Sequence, residues 1–104
     1  MSAETLLDEV VARVRRVLRP EKIVLFGSRA RGDSRPDSDY DLLVIQESDK
    51  PRYRRAGAAY AALADLPVEV MVYTPAEAGE WSDVPQAFVT TALREGKVLY
   101  EREG

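Results

Sequence analysis

Residues 22–45 decide the architecture. Lys22-Ile23-Val24-Leu25-Phe26 runs into Gly27-Ser28, and after ten intervening residues Asp39-Tyr40-Asp41 opens into Leu42-Leu43-Val44-Ile45. Each apolar, partly β-branched run has the length and composition of a buried strand. The first is predicted over Lys22–Phe26 and the second from about Asp39 to Gln46. Residues i and i+2 of a strand point to one face, so Asp39 and Asp41 are expected side by side at the mouth of the second strand. Two carboxylates placed so repel, and one tends to keep a proton. A divalent cation relieves that conflict. Taken alone, an Asp-x-Asp pair is usually a surface turn whose acids cap backbone amides. Its position, leading straight into an apolar run, is what argues for a charged ligand.

Gly27-Ser28 is read with it. Glycine lets a backbone approach a ligand closely. Ser28 to Arg31 is expected to begin a short helix closed by Gly32, and free amides at a helix start attract phosphate. An isolated Gly-Ser is otherwise a turn. Arg29 and Arg31 beside it suit phosphate oxygens, with plain surface exposure as the alternative.

Outward from this stretch, the chain alternates helix and strand. Leu6, Leu7, Val10, Val11, Val14, Val17 and Leu18 recur on one face of an amphipathic helix, with Thr5-Leu6-Leu7-Asp8 as its capping box and Pro20 past its end. Asp33 to Ser38 reads as a loop and Glu47 to Pro51 as a polar turn. Arg52 to Leu66 is Ala-rich, with Tyr53, Ala56, Tyr60 and Leu63 at helical spacing, and is predicted as one helix broken by Pro67. Val68-Glu69-Val70-Met71-Val72-Tyr73 alternates as a third strand. If its valines face the core, Glu69 faces the other side with Met71 and Tyr73. Thr74-Pro75-Ala76-Glu77 looks like a helix start with Pro at the first position. A last helix capped by Ser82 or Asp83 and ending at Gly96, then a short strand over Lys97–Tyr100, completes the order. Helices interleaved with strands imply a sheet covered by helices.

Composition bounds the chemistry. With 104 residues, 45% apolar and 32% charged, the chain is expected to form a single domain over 1–104. It has no Cys and no His. Disulfides, thiol nucleophiles, imidazole bases and the common zinc sites are therefore excluded. Carboxylates remain, and they favour hard ions such as magnesium. The net charge of −3 gives no global pull toward nucleic acid, so direct nucleic-acid binding is not expected. The arginines cluster at Arg13–Arg19, Arg29–Arg35 and Arg52–Arg55, and most read as solvated surface. No stretch has the roughly 18 apolar residues of a membrane span. No signal-peptide pattern opens the chain, so a cytoplasmic location is the default.

Glu69 adds a third acid to the pair. Gly27-Ser28-Arg29-Ala30-Arg31-Gly32 followed by Ser38-Asp39-Tyr40-Asp41-Leu42-Leu43-Val44 resembles the signature of the DNA polymerase beta-like nucleotidyltransferase superfamily, and specifically its minimal nucleotidyltransferases. The closing Ala92-Leu93-Arg94-Glu95-Gly96-Lys97-Val98-Leu99-Tyr100-Glu101 is similar to how those proteins end. The resemblance covers nearly the whole chain. It implies an α+β nucleotidyltransferase fold, a small mixed sheet flanked by helices with an α-β-α-β-α-β core. It implies that Asp39, Asp41 and Glu69 are catalytic and hold magnesium in a two-metal site. Many relatives carry Asp where Glu69 stands. Gly27, Ser28, Arg29, Arg31 and Ser38 are implied to bind the phosphates of a nucleoside triphosphate, with ATP the family's usual substrate.

The acceptor is not written in these motifs. A chain of this length has little left for an acceptor site, so the acceptor is expected on another polypeptide. The resemblance implies a HEPN-domain toxin as partner, neutralised by transfer of AMP to a tyrosine. Two other readings stay open: an antitoxin that inhibits by contact alone through Tyr53, Tyr60, Trp81 and Phe88, and transfer to a small molecule such as an aminoglycoside. Ordinary core packing is the plain alternative for those four aromatics. A homo-oligomer is also left open.

Overall fold

The two apolar runs form strands because their branched side chains fill both faces of a pleated sheet. The computed structural model describes residues 3–27, 39–81 and 96–102. Strand β1 spans Lys22–Phe26, β2 Tyr40–Ile45, β3 Val68–Tyr73 and β4 Lys97–Glu101. They make one mixed sheet in the order β3-β2-β1-β4. β1 pairs antiparallel with both β2 and β4, and β2 pairs parallel with β3. The helices are α1 over Ala3–Val17, α2 over Arg52–Arg55, α3 over Gly57–Ala62 and α4 over Pro75–Trp81. The architecture is α+β, as the sequence predicts.

Alternation along the strands divides the core in two. Ile23, Leu25, Tyr40, Leu42, Val44, Val68, Val70 and Val72 point to one face, where Val10 and Val14 of α1 and Ala59 and Leu63 from and after α3 cover them. Val24, Leu43, Ile45 and Tyr73 point to the other, packed by Phe26 and by Ala78 of α4. Ile23, Leu42, Leu43, Val10 and Val14 are fully buried. Burial of each stabilises the fold by roughly 1.5–3 kcal/mol.

Polar contacts tie the layers. On α1, Arg13 donates to Glu9 four residues back at 2.9 Å and to Asp65 at 2.6 Å. Its Nη1 also reaches the Ala62 carbonyl at 3.2 Å, which pins the end of α3 to α1. The Arg15 guanidinium lies 4.5 Å from the centre of the Tyr100 ring. Past β3, Thr74 and Glu77 form a reciprocal cap: Glu77 N donates to Thr74 Oγ1 at 3.2 Å and Thr74 N donates to Glu77 Oε1 at 2.8 Å. Glu77 also accepts from buried Arg55 at 2.5 Å, joining α2 to α4.

Several expectations change. Thr5 lies inside α1, which begins at Ala3, so Thr5-Leu6-Leu7-Asp8 is not its capping box. Val17, at the end of α1, is exposed rather than packed. The single helix over Arg52–Leu66 is two short ones that meet at Ala56-Gly57 and end at Ala62. Glycine at the junction weakens helix continuity, although Tyr60 N still donates to Ala56 O at 2.9 Å. Tyr73 does share the face of Glu69 and Met71, and Ala78 of α4 packs against the cluster that buries it there. The helical turn expected from Ser28, the loop over 33–38 and the helix expected from Ser82 or Asp83 to Glu95 lie outside the described residues. No helix among the described residues is long and apolar enough to cross a membrane.

Candidate active site

The acids meet because of strand register. Phe26 of β1 faces Asp41 of β2, and Asp41 faces Glu69 of β3. Facing residues on adjacent strands have Cβ atoms about 5 Å apart. Asp41 lies two residues before Leu43 and Glu69 four before Tyr73, so both point to the second face of the sheet. That face is packed by Ile45, Tyr73 and Ala78 at the far end. At the near end, Glu69 and Met71 are exposed and Asp41 is half-buried.

Asp39 stands just before β2 rather than on it, and it is exposed. Entry into β2 is fixed next door, where Tyr40 N donates to Pro67 O at 2.8 Å. Gly27 closes β1 at the same end of the sheet with φ +75°. A side chain there would be strained, because L-residues rarely adopt that conformation. An ideal Cβ on Gly27 would lie 2.6 Å from Asp41 Oδ2. Gly27, Asp39, Asp41 and Glu69 are thus gathered at one edge of the molecule. Ser28, Arg29, Arg31 and Ser38 lie outside the described residues.

Electrostatics single out Asp41. Burial lifts its carboxyl above the ordinary carboxylate value. The charges of Glu69 and Asp39 push the same way, and a hydrogen bond with Glu69 adds to the shift. The cause is an excess of negative charge at a half-dry position, which a cation would relieve. Among the described residues, no three acids close into a ready-made cation cage. The donor set nonetheless fits a hard divalent ion in kind, since it consists of carboxylate oxygens. Asp41 and Glu69, facing each other on β2 and β3, and Asp39 just before β2 are the carboxylates at this edge that a cation would draw on.

A cavity of about 390 Å³ opens elsewhere, with Glu21, Lys22, Glu101 and Arg102 on its rim. It sits at the opposite end of β1 from Gly27, and its charges are already paired, Lys22 with Glu101 and Arg102 with Glu21, each at 3.2 Å. Sequence reading did not find the Gly27–Asp41 contact. The glycine itself was the signal, but its meaning depends on a φ and a register that no local motif encodes. The Arg52–Arg55 cluster was read mainly as surface, whereas the Arg55 side chain is only 8% exposed. Tyr60 is 47% exposed. The side chains of Tyr53 and Trp81, and all of Phe88, lie outside the described residues.

Comparison with known proteins agrees with this fold. The family model for the nucleotidyltransferase domain matches residues 4–98. A protein from Sulfolobus solfataricus, solved as a candidate nucleotidyltransferase, shares 23% identity over 93% of this chain and 79% of its own, with a TM-score of 0.66. A toxin-antitoxin structure with AMP-PNP shares 20% identity over 93% of this chain and 74% of its own, with a TM-score of 0.58. A mutant of the toxin-antitoxin MntA-HpeT, with two aspartates changed to glutamate, shares 18% over 93% and 74%, with a TM-score of 0.56. At these identities the likeness is one of fold. No curated protein matches the chain.

Proposed function

Because this chain belongs to the nucleotidyltransferase domain family, we propose that it transfers AMP from ATP to a tyrosine hydroxyl of a partner HEPN-domain toxin, which the transfer neutralises. The observation that carries the reading is the cross-strand pair Asp41–Glu69, with Gly27 closing β1 against Asp41 and Asp39 just before β2. Two of the similar folds come from toxin-antitoxin pairs, and one of those holds AMP-PNP, an ATP analogue. The other changes two aspartates that stand two positions apart, the spacing of Asp39 and Asp41 here.

Asp39, Asp41 and Glu69 would hold magnesium, at a two-metal site. Bound there, magnesium supplies charge neutralisation of the triphosphate and eases ionisation of the acceptor hydroxyl. The chain's own groups do the rest. Gly27, Ser28, Arg29, Arg31 and Ser38 bind the phosphates and set the α-phosphorus in line with the acceptor. Glu69 or Asp41 accepts the proton of the attacking hydroxyl. The acceptor oxygen bonds to the α-phosphorus, the bond to the bridging oxygen of the β-phosphate breaks, and pyrophosphate leaves.

The test is intact mass spectrometry of the partner after incubation with ATP and Mg²⁺. Asp39→Asn and Asp41→Asn are each expected to abolish the added nucleotide while leaving the protein folded. Full transfer by either variant would sink the assignment. Exposed Tyr60 keeps the contact-only reading in play. Neutralisation that survives loss of both aspartates would favour it.

A further inference from the structure

We propose that Gly27 is a positioning residue for Asp41: the missing side chain at the end of β1 is what lets the Asp41 carboxylate occupy its place beside Glu69. The proposal rests on the reading of Asp41 as a metal-binding acid. It assigns Gly27 a duty distinct from holding phosphate.

Geometry carries it. The three heavy atoms nearest to a Cβ built on Gly27 all belong to Asp41: Oδ2 at 2.6 Å, Cγ at 3.6 Å and Cβ at 3.7 Å. A contact of 2.6 Å cannot stand, so something must move. Backbone is not what blocks the space. The movable atom is a carboxylate oxygen, and rotating it away is energetically mild. It is also the atom that has to stay. Asp41 has Phe26 opposite it on one side and Glu69 on the other. Turning from Gly27 therefore changes how it meets Glu69.

A second constraint coincides at the same residue. The φ of +75° at Gly27 strains any residue with a Cβ. Asparagine tolerates that region better than alanine does. Gly27→Asn therefore eases the backbone strain but keeps the collision with Asp41, and it separates the two effects if Gly27→Ala fails to fold. Gly57 and Gly79 offer a contrast, since a Cβ on either meets nothing within 4 Å.

The experiment measures Mn²⁺ binding without nucleotide, by electron paramagnetic resonance, together with the Asp41 side-chain rotamer from NMR couplings in metal-free protein. Wild type, Gly27→Ala, Gly27→Asn, Asp41→Asn and the Gly27→Ala/Asp41→Asn double variant are compared. Gly27→Asn is expected to change the Asp41 rotamer and to weaken Mn²⁺ at least tenfold. The double variant is expected to bind no more weakly than Asp41→Asn alone, because Gly27 acts through Asp41. Wild-type rotamer and Mn²⁺ affinity in Gly27→Asn would overturn the proposal, as would losses that multiply in the double variant. If Asp41→Asn itself leaves Mn²⁺ binding unchanged, the reading of Asp41 as a metal-binding acid fails and the proposal falls with it. A Gly27 that only holds phosphate would leave nucleotide-free Mn²⁺ binding untouched.

Discussion

Asp41→Asn should make the metal-free protein more stable while it removes catalysis. Asp41 faces Glu69 across parallel strands. Two unit charges about 5 Å apart repel by roughly 3 kcal/mol at an effective dielectric of about 20, and by just under 1 kcal/mol at that of water. Glu69 is exposed and Asp41 only half-buried, so solvent screening leaves a net repulsion of about 1 kcal/mol. The amide keeps the shape and loses the charge. For a domain of this size, about 1 kcal/mol raises Tm by about 4–8 °C. The pH dependence follows from linkage. The folded Asp41 carboxyl titrates above its ordinary value, first through burial and then through Glu69 and Asp39. Its neutral form therefore favours folding, and that contribution is complete below the unfolded value and lost as pH rises through the folded one. The advantage of the variant is thus greatest above the elevated titration of Asp41 and fades as pH falls through it. Thermal melts by circular dichroism in EDTA at pH 7, repeated at acid pH, measure it. Added Mg²⁺ should stabilise wild type and not the variant. A variant no more stable than wild type in EDTA at pH 7, or a gain that persists unchanged in acid, would refute the reasoning.

Two further outcomes concern the scaffold. Glu77→Gln keeps a group able to accept from Thr74 N but deprives Arg55, with a side chain 8% exposed, of this charged partner. A loss of about 2 kcal/mol is expected in urea denaturation. Thr74→Ala removes the hydroxyl that accepts from Glu77 N and should cost about 1 kcal/mol. Both should leave metal binding unchanged, because α4 packs at the far end of the sheet from Gly27.

Strands were the most legible part of the sequence. Lys22–Phe26 and Val68–Tyr73 were read with their observed bounds, because apolar runs and period-two alternation are local signals. The start of α4 was legible too, since Thr74, Pro75 and Glu77 carry their capping roles in their types and spacing. What local pattern does not contain is pairing. That Asp41 stands opposite Glu69, and that Phe26 and Gly27 abut Asp41, follows from the order β3-β2-β1-β4 and its register. The burial of Tyr73 depends on where α4 packs. Helical periodicity alone overrode the glycine at the Ala56-Gly57 junction. The acids were visible as types and spacing. Their mutual position, and the steric tie between Gly27 and Asp41, belong to the tertiary structure.

Transfer of label is the most direct test of the central claim. The protein is incubated with Mg²⁺, ATP labelled at the α-phosphate and the HEPN-domain partner proposed above, with γ-labelled ATP in a parallel reaction. Nucleotidyl transfer predicts label on a partner tyrosine from α-labelled ATP only, with a mass gain of one AMP, and none with Asp39→Asn or Asp41→Asn. Label arriving from the γ-phosphate, or α-label transferred equally well by the aspartate variants, would contradict it.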